Sequence, residues 1–296
     1  MTSVNRDPGL RIAVPNKGSL SEAAREMLRE AGYRQRSNSV ELVLTDPDNA
    51  VEFFYLRPRD IALYVGEGTL DLGITGRDLL LDSGAGAEEV LPLGFGGSRL
   101  RLAAPPGTVR AHADLTGLRV ATSYARVVGR WLDDRGVDAS VVRLDGAVET
   151  AVRLGVADVI ADVVDTGSTL REAGLEVFGE PILESEAVLV RRADDGDAAG
   201  PLARPGEIDV FLRRLRGVLV ARGYVMMDYD IAVERVDDAC ALTPGIESPT
   251  VSPLHRQGWV AVRAMVPRRD AQQVMDQLWD IGARGILVTD IHACRL

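Results

Sequence analysis

Glu149-Thr-Ala-Val-Arg-Leu-Gly155-Val-Ala-Asp-Val-Ile-Ala-Asp162-Val-Val-Asp165-Thr-Gly-Ser-Thr-Leu170 is the stretch on which the fold turns, and it divides into three pieces. Ala147, Val148, Ala151, Val152 and Leu154 recur at helical spacing and stop at Gly155, a natural helix end. Val156 to Val164 is an apolar run rich in β-branched residues, short enough for a buried strand. Asp165-Thr166-Gly167-Ser168-Thr169-Leu170 then turns the chain into a second helix. A strand, a small hydroxyl-rich loop and a helix start form an arrangement that holds phosphate. Backbone N–H groups and hydroxyls converge on the anion, and the helix dipole favours its charge. The plainer reading is that Thr166, Ser168 and Thr169 only cap the helix.

The same grammar repeats upstream. Leu10 to Pro15 reads as a strand, Asn16-Lys17-Gly18-Ser19 as a turn, and Ser21-Glu22 as the opening of a helix reaching about Ala31. Strands are predicted at Val40 to Leu44 and Val51 to Leu56, with a turn at Asp46-Pro47-Asp48-Asn49 and a short helix from Arg57 through Val65. Gly68-x-x-Asp71-Leu-Gly-Ile-Thr echoes Gly155-x-x-Asp158-Val-Ile-Ala-Asp, which suggests two similar α/β lobes facing across a cleft. Leu91 to Ala104 should cross from the first lobe to the second, and Ile182 to Val190 should return. Strands at Arg119 to Thr122 and Ser140 to Leu144, with a helix to about Asp134, complete largely parallel sheets covered by helices. Ala193 to Gly206 is of low complexity and reads as a mobile surface loop, followed by a helix at Ile208 to Ala221. From Tyr224 the order becomes βαββαβ, which is ferredoxin-like. The expected layout is a disordered tail at 1–9, a first lobe at 10–100 and 186–222, a second at 101–185, and a regulatory module at 223–296.

Composition narrows the function. A net charge of −10 argues against a broad nucleic-acid-binding face. No apolar run is long enough for a membrane span, and the polar start lacks a signal-peptide core, so a cytoplasmic protein is expected. Two cysteines and three widely spaced histidines give no disulfide framework or His-rich metal site. Of 34 Lys+Arg residues only Lys17 is lysine, a compact cation kept in a loop that already looks ligand-facing.

At this point the residues resemble a known family. Glu149-x5-Gly155-x-Ala157-x2-Ile160-x-Asp162-Val163-x2-Thr166-Gly167-x-Thr169-Leu170 looks like the signature of the ATP phosphoribosyltransferases, which open histidine biosynthesis. Val14 to Gly18, Asp60-Ile61 with Val65-Gly66, and Gly73 to Asp78 are similar to the family's N-terminal motifs. Arg263 to Arg269 and Asp290-Ile291 resemble its long, self-regulated form. The resemblance implies two periplasmic-binding-protein-like lobes and a ferredoxin-like C-terminal domain. It also implies attack by N1 of ATP on C1 of phosphoribosyl pyrophosphate with Mg2+, inhibition by L-histidine, competition by AMP, and dimers that interconvert with hexamers.

That chemistry needs no protein nucleophile; positioning and placed charge suffice. Thr166, Gly167, Ser168, Thr169 and Leu170 would grip the 5-phosphate. Asp162 and Asp165 are candidates for the ribose hydroxyls or the metal, one facing the ligand and the other orienting the loop. Lys17 and Arg57 could neutralise pyrophosphate or ATP phosphates, although Arg57 could instead pair with Asp60. Gly18, Asp78 and Tyr124 would face ATP, with core packing the alternative for Tyr124. The resemblance places histidine at Asp230, with Ile246, Ser248, Thr250 and Gly285 around it; the sequence assigns no ligands to the metal. A non-catalytic two-lobed binder is the competing reading. A DNA-binding regulator is weaker, because neither a helix-turn-helix pattern nor a basic stripe is visible.

Overall fold

The computed structural model describes residues 9–38, 40–164, 168–193 and 205–295, and of Ser168 the backbone alone. Asp165, Thr166 and Gly167 lie outside the described residues, as do nearly all of the low-complexity segment before Gly206 and most of the N-terminal tail. The chain forms two compact units, Met1–Glu26 with Arg34–Glu207, and Met27–Tyr33 with Ile208–Leu296.

The first unit holds two sheets. Its elements in order are β1 (Leu10–Pro15), α1 (Ser19–Glu30, whose last turn belongs to the second unit), β2 (Val43–Asp46), β3 (Val51–Leu56), α2 (Pro58–Gly66), β4 (Leu72–Gly76), α3 (Arg77–Ser83) and β5 (Ala87–Pro92). They continue with β6 (Ser98–Ala104), β7 (Arg119–Thr122), α4 (Ala125–Asp133), β8 (Ser140–Arg143), β9 (Val159–Val164), α5 (Ser168–Glu172), β10 (Glu176–Ser185) and β11 (Ala187–Arg192). In one sheet β1 lies between β3 and β4, parallel to both, with β11 antiparallel beyond β4. In the other, β7 lies between β8 and β9, parallel to both, with β6 antiparallel beyond β9. The full orders are β2-β3-β1-β4-β11-β5 and β10-β6-β9-β7-β8. This is the two-lobed α/β architecture the sequence predicts, but the sheets are mixed rather than largely parallel: β2, β11 and β5 in one and β6 and β10 in the other join through antiparallel pairs. The chain crosses between sheets twice, through residues 93–97 and through Glu186.

The echo between the halves is physical. Gly68 and Gly155 both adopt left-handed φ, +74° and +71°. Asp71 Oδ2 accepts the Arg11 backbone N–H at 2.7 Å, and Asp158 Oδ2 accepts that of Arg119 at 2.9 Å. Arg11 Nη1 donates to Thr69 O and Arg119 Nη1 to Gly155 O, each at 2.9 Å. In each lobe an arginine at the start of the central strand is thus clamped to the aspartate before its parallel neighbour. The clamps sit at the N-terminal edges of the strands, which leaves the C-terminal edges for ligands.

Packing explains the unbroken apolar runs. β9 sends Val159 and Ala161 into one core with Leu102, Val120 and Val128. It sends Ile160 into another with Ala103, Ala121, Leu170 and Leu175. Both faces are covered, so no polar alternation survives. Against β4, the missing side chain of Gly73 admits Ile61 and Val65 of α2, whose methyl groups occupy the space a Cβ would take.

Three local expectations need correction. The predicted helix through Leu154 is only a 3₁₀ turn at Val148–Thr150 followed by loose turns; Ala147 at φ +49° breaks the helical path. The strand expected from Val40 starts at Val43, because Asn38 Oδ1 takes the N–H groups of Val40 and Glu41, each at 3.1 Å. The strand expected from Val156 starts at Val159, after the turn that Gly155 makes and the Asp158 clamp.

The second unit contains α6 (Pro205–Gly223, whose first three residues belong to the first unit), β12 (Tyr224–Ala232), α7 (Val236–Leu242), β13 (Thr250–Pro253), β14 (Trp259–Pro267), α8 (Ala271–Asp280) and β15 (Arg284–Asp290). The sheet order β13-β14-β12-β15, antiparallel throughout, is ferredoxin-like. β12 alternates strictly: Val225, Met227, Tyr229 and Ile231 enter a core with Ala239, Val274 and Leu278, and the intervening residues are less buried. No helix among the described residues is long and apolar enough to cross a membrane.

Candidate active site

At the C-terminal end of β1, Gly18 takes φ +80° and the chain turns into α1, with the Ser21 N–H bonded to Gly18 O at 3.1 Å. A buried arginine supports this turn: Arg36 donates through Nη2 to Asn16 O at 2.9 Å and through Nη1 to Glu41 O at 2.7 Å. Lys17, Gly18, Ser19 and Leu20 then form one wall of a cleft of about 540 Å3. Orphan N–H groups of the helix start and one ammonium face the same space, a setting for an anion. Lys17 is exposed and makes no ion pair among the described residues.

Asp78 and Tyr124 line the same cleft, with Gly76, Gly97 and Val163. Asp78 is only 7% exposed; its Oδ1 accepts the Ser185 hydroxyl at 2.8 Å, and its own N–H donates to Ser185 Oγ at 3.0 Å. The Tyr124 hydroxyl hydrogen-bonds Asp78, and burial, then the charges of Asp78 and Asp162, hold it far above the ordinary phenol range. Tyr124 is therefore a neutral donor, and Asp78 is anchored by groups from β10 and from the β7–α4 corner. A second hollow of about 300 Å3 adjoins through Gly97 and Ser98, lined by Arg99, Val164 and Glu184.

Asp162 is half-buried on β9, and its Oδ1 accepts the Val163 N–H at 2.8 Å. Burial pushes its carboxyl upward, the Val163 N–H opposes this, and the charge of Glu149 adds to the rise. Arg101 stands directly opposite in the β6–β9 register. Thr169 is exposed on α5, whereas Leu170 is 5% exposed within the core and has only backbone to offer a ligand. Arg57 caps the start of α2 with extended backbone and is exposed. It makes no ion pair with Asp60, whose N–H instead donates to Arg57 O at 2.9 Å. Among the described residues no cluster of three or more metal-ligating side chains occurs.

In the second unit, Gly285 (φ +59°) stands beside Asp230, where a Cβ would lie 3.6 Å from Oδ2. Asp230 pairs with Ala261 and Arg284 in register, and Thr250 pairs with Arg263, which in turn pairs with Asp228. Asp230 and Thr250 therefore share the sheet face that carries no helix. Ile246 and Ser248 lie in the loop entering β13, both exposed.

The sequence reading overlooked Arg36, Arg59, Asp82 and Ser185. Each acts through a partner distant along the chain, and only the Asp residues of the echo carried a local signal for such a role.

The family model described as "HisG: ATP phosphoribosyltransferase" matches residues 57–217, and "HisG, C-terminal domain" matches residues 221–293. The ATP phosphoribosyltransferase of Streptomyces avermitilis is 66% identical over 287 residues, covering 97% of this chain and 100% of the relative. That of Streptomyces coelicolor is likewise 66% identical, over 292 residues with the same coverage. Among solved structures, the ATP phosphoribosyl transferase (HisG:HisZ) complex from Thermotoga maritima superposes with a TM-score of 0.59 at 27% identity. The match covers 71% of this chain and 98% of that one. With the family signature read from the sequence, the two-lobed fold in place, and relatives aligned along nearly the whole chain, the chain belongs to the ATP phosphoribosyltransferase family.

Proposed function

We propose that the chain catalyses attack by N1 of ATP on C1 of phosphoribosyl pyrophosphate. The N–C bond forms as the C1–oxygen bond breaks, giving phosphoribosyl-ATP and pyrophosphate, the first committed chemistry of histidine biosynthesis. The observation that carries this reading is the convergence of Lys17, Gly18, Asp78 and Tyr124 on one cleft in a chain of this family.

The work is electrostatic. The Lys17 ammonium and the start of α1 neutralise phosphate oxygens, and Tyr124, packed in the core at 9% exposure with its hydroxyl on Asp78, offers the nucleotide the part of its ring that reaches the cleft. Asp162 faces the ribose, where charge develops at C1 as pyrophosphate leaves. Thr166, Gly167, Ser168, Thr169 and the Leu170 backbone would grip the 5-phosphate, with Asp165 as the second carboxylate for the ribose, the metal or the loop's orientation and Arg57 as a second cation. Mg2+ fits this donor set: Asp162 is held above its ordinary range by burial and by Glu149, and a divalent cation would relieve both. One or two carboxylates beside substrate phosphates suffice for Mg2+, without an all-protein cage. When bound, it supplies charge neutralisation to the leaving pyrophosphate.

Histidine, bound at Asp230, Gly285, Thr250, Ser248 and Ile246, would inhibit across units, and coupling of this kind is reciprocal between ligands. AMP would compete for the nucleotide site, the assembly would be a dimer exchanging with a hexamer, and the compartment would be the cytoplasm. The decisive assay mixes protein, ATP, phosphoribosyl pyrophosphate, Mg2+ and pyrophosphatase, and follows the product's ultraviolet absorbance. No absorbance change overturns the reading. Thr169→Ala should weaken phosphoribosyl pyrophosphate binding and spare histidine binding. Asp230→Ala should leave turnover intact and relieve inhibition.

A further inference from the structure

Tyr124 occupies the N-cap position just before α4 but offers that helix no side-chain cap. The missing acceptor comes from the other lobe. Asp82, on α3 with a side chain only 8% exposed, takes the Arg126 N–H at 2.9 Å and the Val127 N–H at 3.4 Å on Oδ1. Its Oδ2 takes Arg59 Nη1 at 3.1 Å, and the same nitrogen donates to Ser123 O at 3.0 Å. The Arg59 guanidinium carbon lies 5.3 Å from the centroid of the Tyr124 ring. Gly84, at φ +61°, leaves room for the Arg126 guanidinium where a Cβ would stand. Two elements of the first lobe, α2 and α3, thus grip the corner of the second lobe that carries Tyr124 into the cleft.

We propose that Arg59 and Asp82 are positioning residues that fix Tyr124 for nucleotide binding from across the cleft. The inference rests on the reading of Tyr124 as a nucleotide contact. As an ion pair this couple would matter little, since Arg59 is 40% exposed and such pairs are weak. Its consequence lies in geometry: Asp82 supplies helix caps that no neighbour in sequence provides, and Arg59 ties down the carbonyl preceding Tyr124.

The test uses the full-length protein with ATP, phosphoribosyl pyrophosphate and Mg2+. Arg59→Met and Asp82→Ala should each raise KM for ATP about tenfold, with kcat and KM for phosphoribosyl pyrophosphate held within about twofold. Arg59→Lys should recover most of the loss, because one nitrogen makes both bonds. In a Tyr124→Ala background Arg59→Met should add nothing, since a residue acting through Tyr124 has no effect once Tyr124 is gone. If Arg59→Met and Asp82→Ala melt lower but keep the parent KM for ATP, the contact is a structural tie only and the inference is overturned. Arg59→Met alone decides this if Asp82→Ala does not fold. If Tyr124→Ala itself leaves KM for ATP unchanged, the nucleotide reading of Tyr124 fails instead.

Discussion

Gly76 and Gly97 line the same cleft, yet replacing each by alanine should have very different consequences. Gly76 has φ −82° and ψ 143°, a conformation any residue adopts, so backbone strain plays no part. Space decides. A Cβ at Gly76 would fall on Asp78 Oδ1 and 3.7 Å from Leu79 Cγ, whereas a Cβ at Gly97 would meet no heavy atom within 4 Å. The displaced oxygen is the one that accepts the Ser185 hydroxyl. Losing that charge-assisted hydrogen bond costs about 1.5–3 kcal/mol. For a unit of this size Gly76→Ala should therefore lower Tm by about 4–10 °C. Gly97→Ala should stay within about 0.5 kcal/mol of the parent. Thermal melts followed by circular dichroism read both, and a cycle with Asp78→Ala should show the Gly76→Ala penalty shrinking once the carboxylate is gone. Equal melting of the two glycine variants, or strict additivity in the cycle, would refute the steric argument.

Asp162→Asn should trade activity for stability. The carboxyl is raised by burial, so the native state holds its proton more tightly than the unfolded chain, and stability falls as pH climbs from 3.8 through the folded value. Melts should thus place the Asn variant above the parent at pH 7, with the gap closing below pH 3.8, while turnover drops about 10²-fold. Asp71→Ala strips the clamp from the Arg11 N–H and should lower the first unit's stability by about 1 kcal/mol in a urea titration, with KM unchanged. Tyr229→Phe removes a buried hydroxyl bonded to Thr243 Oγ1 at 2.7 Å and should cost about 1 kcal/mol. It should also erase the tyrosine that burial pushes up to about 12, visible in an ultraviolet titration.

Strands were legible where burial dictates composition. Arg119–Thr122 and Val51–Leu56 appear with the bounds that β-branched and aromatic runs suggested, and the βαββαβ order of the second unit follows alternation in β12 and β14. Reading failed where a single side chain or dihedral overrides a pattern. Asn38 capturing two N–H groups delays β2, and Ala147 in a left-handed conformation aborts a helix whose apolar spacing was sound. In the candidate site, Lys17 stood out by composition and Asp78 and Tyr124 by their place after strands. Their settings did not, because Ser185 reaches Asp78 from 107 residues away and Arg59 reaches Ser123 across 64. Such partners are fixed by topology, which local spacing does not encode.

The two passages between the lobes, through residues 93–97 and through Glu186, are stitched to each other. Gly94 N–H donates to Glu186 Oε2 at 2.9 Å, Leu93 N–H to Ala187 O at 2.9 Å, and Arg77 holds Glu186 by backbone and side chain. One flexible linker would leave a lobe three rotations. Two short bridges bound side by side resist twist and slide more than one linker would, so bending about them is the expected softest motion between the lobes. A pair of labels, one on each lobe, should then report such a motion chiefly as a change in one distance.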